Sequence, residues 1–345
     1  MTNSEKYLVD RWYVAAWAHE LDKGPLGRTI LDEPIVFFRT EDNTVAALED
    51  SCAHRFMPLS KGRIISGHIE CPYHGLVYDK NGNCTRVPGQ SKIPPSAQVR
   101  KWPVVEKFRW IWVWMGDPQK ADPNMIPDFH WNDDPNWVSV GDYFYVKGSW
   151  RLFVDNLLDL SHVAFVHRST LGTDGVTNFP VKVTQGDETV HVDRWIFNEP
   201  APPMFQKVRD FKNQVDRWQM ITYRPPSHFV IDVGCADAGT GAMDGDRSNG
   251  VTMFSNHSVT PETEKSSHYF WHHARDFRLD DRGLTQTLAQ ATKTAFYEDV
   301  EIIEAQQERI NTARIDKPII DINADAGVLR ARRMLEGLLD SQKIN

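Results

Sequence analysis

The strongest constraint on this chain is a pair of mixed ligand motifs, Cys52-Ala53-His54 and, sixteen residues further on, Cys71-Pro72-Tyr73-His74. Each places one thiolate and one imidazole on a short loop, and Pro58, Gly62, Gly67, Pro72 and Gly75 supply the turn residues that such loops need. Structural zinc sites usually gather their cysteines in one half and their histidines in the other. Here both halves are mixed, which suits a [2Fe–2S] cluster. Two neutral imidazoles in place of two thiolates on one iron reduce the negative charge and raise the reduction potential. Cys84 and Cys235 lack such company and read as small buried hydrophobes. His68, out of register with both pairs, reads as a loop residue. Four cysteines in 345 residues are too few for a disulfide scaffold.

Around these motifs, from Trp12 to about Gly116, short apolar runs broken by turns predict an all-β domain. Asn81-Gly82 marks a hairpin, since both residues tolerate the positive φ of a type I′ turn. Trp110, Trp112 and Trp114 alternate with Ile111 and Val113 and read as strand packing. Residues 117–137 are rich in proline and aspartate, which suppresses regular structure and places a domain boundary there, giving domains of 1–118 and 119–345. The second domain carries an apolar-periodic segment from about Trp150 to Val166, strand-like runs up to Phe270, and helical stretches over about Leu284–Ile310 and Ala324–Leu339.

Composition narrows the function. A content of 41% hydrophobic and 25% charged residues fits a soluble globular protein, and the net charge of −8 without any basic cluster argues against nucleic-acid or membrane-surface partners. No run approaches the roughly 20 apolar residues of a membrane span. The polar start MTNSEKYLVD lacks the apolar core of a secretory signal, so a cytoplasmic protein is expected.

A second constellation follows in Asn156-Leu157-Leu158-Asp159-Leu160-Ser161-His162 and His167. Phe153, Leu157, Leu160 and Phe165 predict a buried helix here, and polar groups on a buried helix need partners. Two histidines with Asp159 one turn earlier point to a metal. Residues five apart on a straight α-helix diverge by roughly 140° and about 7.5 Å, so the helix is expected to bend, widen or end between His162 and His167. A facial triad requires one carboxylate more. Glu298, Asp299, Glu301 and Glu304 on the C-terminal helix are the candidates, and composition does not choose among them.

With its Cys-x-His and Cys-x-x-His pairs and Asn-x-x-Asp-x-x-His-x4-His, the chain resembles the α-subunits of the Rieske non-heme iron oxygenases over almost its whole length. Within that family it is similar to vanillate O-demethylase, dicamba O-demethylase and toluenesulfonate methyl-monooxygenase oxygenase components, through Leu26-Gly27-Arg28-Thr29-Ile30, Val154-Asp155-Asn156-Leu157-Leu158-Asp159, Asp216-Arg217-Trp218-Gln219, Pro225-Pro226-Ser227-His228 and Thr260-Pro261-Glu262-Thr263-Glu264. The resemblance implies an α+β chain: an all-β Rieske domain, then a helix-grip catalytic domain of antiparallel sheet with C-terminal helices. It implies a cluster on Cys52, His54, Cys71 and His74, and Fe(II) on His162, His167 and Asp299. It implies a head-to-tail homotrimer in which Asp159 bridges His74 of one subunit to His162 of the next, with Asn156 in the same motif. His257 stands where the dicamba enzyme has a substrate-contacting histidine, with Asn256 beside it. Arg217 and Arg224 are candidates for pairing a substrate carboxylate or sulfonate, although arginines flanking strands more often form surface ion pairs.

No dinucleotide-binding glycine motif and no plant-type ferredoxin cysteine pattern occur in the chain. Electrons are therefore expected from NADH or NADPH through a separate flavin and iron–sulfur reductase. The expected reaction is O2-dependent O-demethylation of a methoxy-aromatic acid, giving a phenol and formaldehyde. Methyl-group hydroxylation and ring cis-dihydroxylation are alternatives of the same chemistry. An electron carrier without catalysis and an iron-free binding module are the alternatives from other classes.

Overall fold

The structure, a computed structural model, describes residues 6–312 and 320–344. It forms two compact units, Met1–Ile126 with Thr260–Glu264, and Pro127–Val259 with Lys265–Asn345. The division falls at Ile126, beyond the 118 expected from the sequence. Two buried tryptophans account for the difference, because a buried indole N–H needs an acceptor. Trp114 donates to the carbonyl of Asp117 at 2.8 Å and Trp12 to that of Asp122 at 2.8 Å. These bonds hold the proline- and aspartate-rich stretch to the first unit.

Among its described residues the first unit has the strands β1 (Arg11–Trp17), β2 (Leu26–Ile30), β3 (Glu33–Arg39), β4 (Val45–Glu49), β5 (Arg63–Ile65), β6 (His68–Glu70), β7 (Val77–Tyr78), β8 (Cys84–Arg86), β9 (Val104–Lys107) and β10 (Trp110–Met115). They form three sheets, ordered β1-β10-β9, β2-β3-β4 and β5-β6-β7-β8. Every residue of β10 is buried, so its tryptophans are packing. His68 opens β6 opposite Ile65 rather than lying in a loop. The β7–β8 hairpin is present, but not as a two-residue turn. Asp79 Oδ1 accepts from the amides of Asn81 and Asn83, and of the pair Asn81-Gly82 only Gly82 has positive φ, at 83°. A Cβ at Gly82 would lie 2.1 Å from the Val99 carbonyl oxygen. The loop therefore needs glycine both for its torsion and for the close approach of the neighbouring backbone.

The second unit is built on a seven-stranded sheet of order β11-β17-β16-β15-β14-β13-β12. Its strands are β11 (Val138–Val146), β12 (Lys182–Gln185), β13 (Val190–Glu199), β14 (Val215–Arg224), β15 (His228–Asp237), β16 (Gly250–Thr263) and β17 (Ser266–Arg275). The helices are α1 (Trp150–Leu158), α2 (Pro203–Val208), α3 (Arg282–Thr312) and α4 (Ala326–Ile344). The buried residues of α3, among them Leu284, Leu288, Thr292, Phe296, Asp299 and Ile303, recur every three or four positions and make one stripe. Phe296 packs edge-on against Trp271 of β17, and Leu284 and Leu288 join Cys235 of β15 and Met253 of β16 in one core. Aromatic edge contacts of this kind are worth about 0.5–1.5 kcal/mol beyond buried area. The long helix thus covers one face of the sheet, and its stripe carries Asp299 into the interior.

Candidate metal centres

Two loops of the first unit share one hydrogen-bond pattern. Cys52 N donates to Met57 O and Phe56 N to Cys52 O, both at 2.9 Å. In the second loop Cys71 N donates to Leu76 O at 2.8 Å and Gly75 N to Cys71 O at 3.1 Å. Each turn requires a left-handed residue four positions after its cysteine. Gly75 takes it without steric cost at φ 71°, whereas Phe56 holds φ 55° against the preference of a bulky side chain. Cys52 and Cys71 are buried, His54 and His74 exposed, and the Nδ1 atoms of the two rings lie 3.2 Å apart. Tyr78 Oη lies 3.2 Å from Cys52 Sγ. Two thiols inside and two convergent Nδ1 atoms outside are the donor set of a mixed-ligand cluster. Each Nε2, on the far side of its ring, is left to hydrogen-bond outward. Cys84 and Cys235 are buried in apolar clusters, as their setting in the sequence predicts.

In the second unit the helix before the histidines ends earlier than expected, at Leu158 and before His162 rather than between His162 and His167. Asp159 is the cause. Its backbone is extended and its Oδ1 accepts from Ser161 N at 2.7 Å, a local bond that competes with helix continuation. A 3-10 turn over His162–Ala164 follows. This break brings His162 Nε2 to 3.3 Å from His167 Nε2, and Asp299 Oδ1 to 3.5 Å and 3.1 Å from those two atoms. Three donors converge from two histidines and one carboxylate, the arrangement that suits non-heme iron and leaves further coordination positions open.

The rear of each ring faces a carboxylate. His167 Nδ1 pairs with Glu298 Oε2 at 2.7 Å, and His162 Nδ1 lies 3.8 Å from Asp159 Oδ2, buried and without a hydrogen-bond partner. Asn156 Nδ2 donates to Asp299 Oδ1 at 3.0 Å. Partners behind the ligands fix ring tautomer and orientation. Burial lowers His162. Burial opposes the proton on His167 too, but its bonds to Asp299 and Glu298 raise it overall. Burial would raise Asp299, yet the two imidazoles and the Asn156 amide hold it below the usual carboxylate range. A neutral His162 and an ionised Asp299 are the states that metal binding requires.

The four acidic candidates of α3 therefore have separate fates. Asp299 joins the histidines, Glu298 orients His167, Glu304 accepts from Lys147 N, and Glu301 is exposed. The stripe carried the signal for the choice. Asp299 follows Phe296 by three and Thr292 by seven positions, so it shares their buried face. Nothing in the sequence marks Glu298 as the partner of His167, because that contact spans 131 residues.

The donors open onto a cavity of about 740 Å³, mouth included, whose apolar wall includes Leu157, Phe205, Ile221, Ile231 and Phe296. His257 lines it, with Nδ1 2.7 Å from Tyr269 Oη and Nε2 without a partner. Burial pushes His257 down to about 3, so it is neutral. Asn256 does not reach the cavity. Successive strand residues face opposite sides, and its amide donates instead to Asn132 Oδ1 at 2.8 Å. For the same reason His273 lines the cavity and His272 does not. Arg217 lines it as well, together with Gln219, while Arg224 lies outside it.

Comparison with known proteins agrees with this geometry. The Rieske [2Fe-2S] domain family matches residues 11–103, and the vanillate O-demethylase oxygenase C-terminal domain family matches residues 146–341. The chain is 42% identical over 335 residues to a putative toluene-4-sulfonate monooxygenase iron-sulfur subunit of Comamonas testosteroni, covering 96% of each. It is 36% identical to a vanillate O-demethylase oxygenase subunit of a Pseudomonas species, over 96% of this chain and 95% of that one. The crystal structure of dicamba monooxygenase bound to dicamba superposes with a TM-score of 0.91 at 36% identity, covering 99% of this chain and 100% of that one. With a Rieske domain, a cavity-facing His/His/Asp set and relatives matched along nearly its full length, the chain belongs to the Rieske non-heme iron oxygenases, as the oxygenase component of a two-component monooxygenase.

Proposed function

We propose that this oxygenase hydroxylates the methyl carbon of a methoxy-aromatic acid, which then collapses to a phenol and formaldehyde. The overall balance is one O2 and one NAD(P)H with a proton consumed per methyl group, and one water formed. The observation that carries this reading is the convergence of His162 Nε2, His167 Nε2 and Asp299 Oδ1 on a cavity whose lining is largely apolar. Cys52, His54, Cys71 and His74 would hold the cluster, and His162, His167 and Asp299 the ferrous iron. When bound, these centres supply single electrons and the activation of O2.

The chain's own residues position and shield. The apolar wall excludes water from the methyl carbon, and neutral His257 offers Nε2 to a polar ring substituent. Asp159 directs Oδ2 toward His162 and, in a homotrimer, would accept an N–H from His74 of a neighbouring subunit. Among the described residues no helix is long and apolar enough to cross a membrane. The enzyme would work in the cytoplasm, served by a separate flavin and iron–sulfur reductase.

The similarity to the toluene-4-sulfonate subunit supports a second reading, hydroxylation of a ring methyl to an alcohol. Both are tested with a surrogate reductase, NADH and a panel of methoxybenzoates and 4-methylbenzenesulfonate. Formaldehyde matching NADH consumption supports demethylation, a benzylic alcohol without formaldehyde supports the second reading, and a ring cis-diol overturns both.

Glu298→Ala is expected to weaken iron retention against a chelator by roughly 10–100-fold, the usual cost of losing an outer partner. Removing the carboxylate leaves the Nδ1–H of His167 with no acceptor in a buried site. Glu298→Gln, which keeps an accepting oxygen, should lie between; unchanged retention in the alanine variant would remove Glu298 from the site.

A further inference from the structure

Arg217 is the one cavity-lining residue whose charge the described residues leave unanswered. It lies on β14, where it turns inward with Gln219 and Ile221, and it is 3% exposed. Neither Nε nor Nη1 has a hydrogen-bond partner, and the groups that act on its charge are the Cys235 thiol and the Arg194 guanidinium. Burial lowers it to about 10, still far above neutrality, so it remains a cation. A guanidinium withdrawn from water without a counterion is strongly unfavourable.

The fold answers its other buried arginines. Arg194 on the adjacent strand donates to Leu160 O at 2.9 Å and Ser161 Oγ at 3.2 Å. Arg275 on β17 bonds the carbonyls of Phe277, Arg278 and Asp281 and the hydroxyl of Thr285. Arg217 receives nothing comparable. Among the described residues the carboxylates lining the cavity are Asp159 and Asp299, and both are committed, the first to Ser161 N and the second to Asn156 and the histidines. Gln219 Oε1, next to Arg217 on the inward face, also lacks a partner.

We propose that Arg217 is the subsite for an anionic group on the aromatic substrate, a carboxylate or sulfonate gripped by the guanidinium fork. The planar fork suits a two-oxygen contact that lysine reproduces poorly. Arg217 lines the same cavity as the three metal donors, together with the apolar side chains of Leu157, Phe205, Ile221, Ile231 and Phe296, against which the ring would lie. The placing of the methyl carbon rests on the oxygenation reading above; the anion subsite itself does not.

The test measures binding without turnover. The oxidised holoenzyme, without reductase or NADH, is titrated calorimetrically with benzoate and 4-methylbenzenesulfonate and with their neutral counterparts, benzamide and 4-methylbenzenesulfonamide. Wild type is expected to bind each anion at least tenfold more tightly than its neutral counterpart. Arg217→Met should lose that preference while still binding the neutral probes, and Arg217→Lys should keep only part of it. Without ligand, Arg217→Met should melt no lower than wild type, since an uncompensated charge has been removed, and the anions should no longer raise its melting temperature.

Equal binding of anion and neutral probe by wild type overturns the subsite, whether or not the methionine variant folds. So does an anion preference that survives in Arg217→Met. If the preference depends on Arg217 but no methyl-bearing acid yields formaldehyde or alcohol, the subsite stands and the oxygenation reading falls. Formaldehyde from an enzyme without the preference gives the reverse.

Discussion

Asp299→Ala is expected to lose the mononuclear iron and to reduce product formation by well over the roughly 100-fold that loss of an outer partner costs, while the visible spectrum of the iron–sulfur centre stays unchanged. Asp299 is 3% exposed and, among the described residues, is the one carboxylate whose oxygen meets both Nε2 atoms, at 3.1 and 3.5 Å. Without it the site offers a dication two imidazole nitrogens and no carboxylate oxygen, since Glu298 and Asp159 face the far side of the two rings. Iron per chain should fall from about three to about two, since the cluster's two irons lie on other ligands. Asp299→Asn keeps an oxygen donor but loses the charge and should retain iron weakly. Glu301→Ala, on the same helix but exposed, serves as the control and should behave as wild type. Near-stoichiometric iron in Asp299→Ala would move the third ligand elsewhere.

Asp159→Asn should have a different signature, with both metal centres retained and coupled turnover abolished. The two oxygens of Asp159 have separate tasks. Oδ1 accepts from Ser161 N and ends α1, a bond an asparagine oxygen can also make, so the break that delivers His162 survives. Oδ2 faces His162 Nδ1 at 3.8 Å, and in asparagine that position becomes an N–H2 donor that opposes another donor. Charge-assisted hydrogen bonds are about twice as strong as neutral ones, so an amide would not replace the carboxylate in the proposed bridge from His162 to His74 of a neighbouring subunit. Metal analysis and the cluster spectrum should match wild type while formaldehyde release falls to background. Full activity in this variant would exclude Asp159 from the link between the centres; loss of iron would make its role structural.

How much of this was legible before folding depends on the range of the interactions. The cluster motifs were legible because each Cys-to-His pair lies within one short loop, so spacing alone dictates which atoms meet. The histidine pair was legible for the same reason. The helix break was foreseen but misplaced, since helical angles show that His162 and His167 cannot share a straight helix but not that Asp159 would end it with its own side chain. The Asn81-Gly82 hairpin is legible in the sequence but its turn type is not, because Asp79 Oδ1 accepts from the amides of Asn81 and Asn83 and the Val99 carbonyl packs close to Gly82.

The sequence by itself therefore determined the two metal-ligand motifs, the α+β order of the domains and, through the stripe on α3, the face on which Asp299 lies. Tertiary structure alone decided the rest. Period-two alternation separates Asn256 from His257, but only the packing of α3 on the sheet says which of them faces the cavity. Glu298 finds His167 across 131 residues, a pairing that no local spacing encodes. The same holds for Arg217, which the sequence offers as an anion partner on equal terms with Arg224, because whether a charge is answered depends on every group that folding brings around it, and here folding left Arg217 facing a cavity.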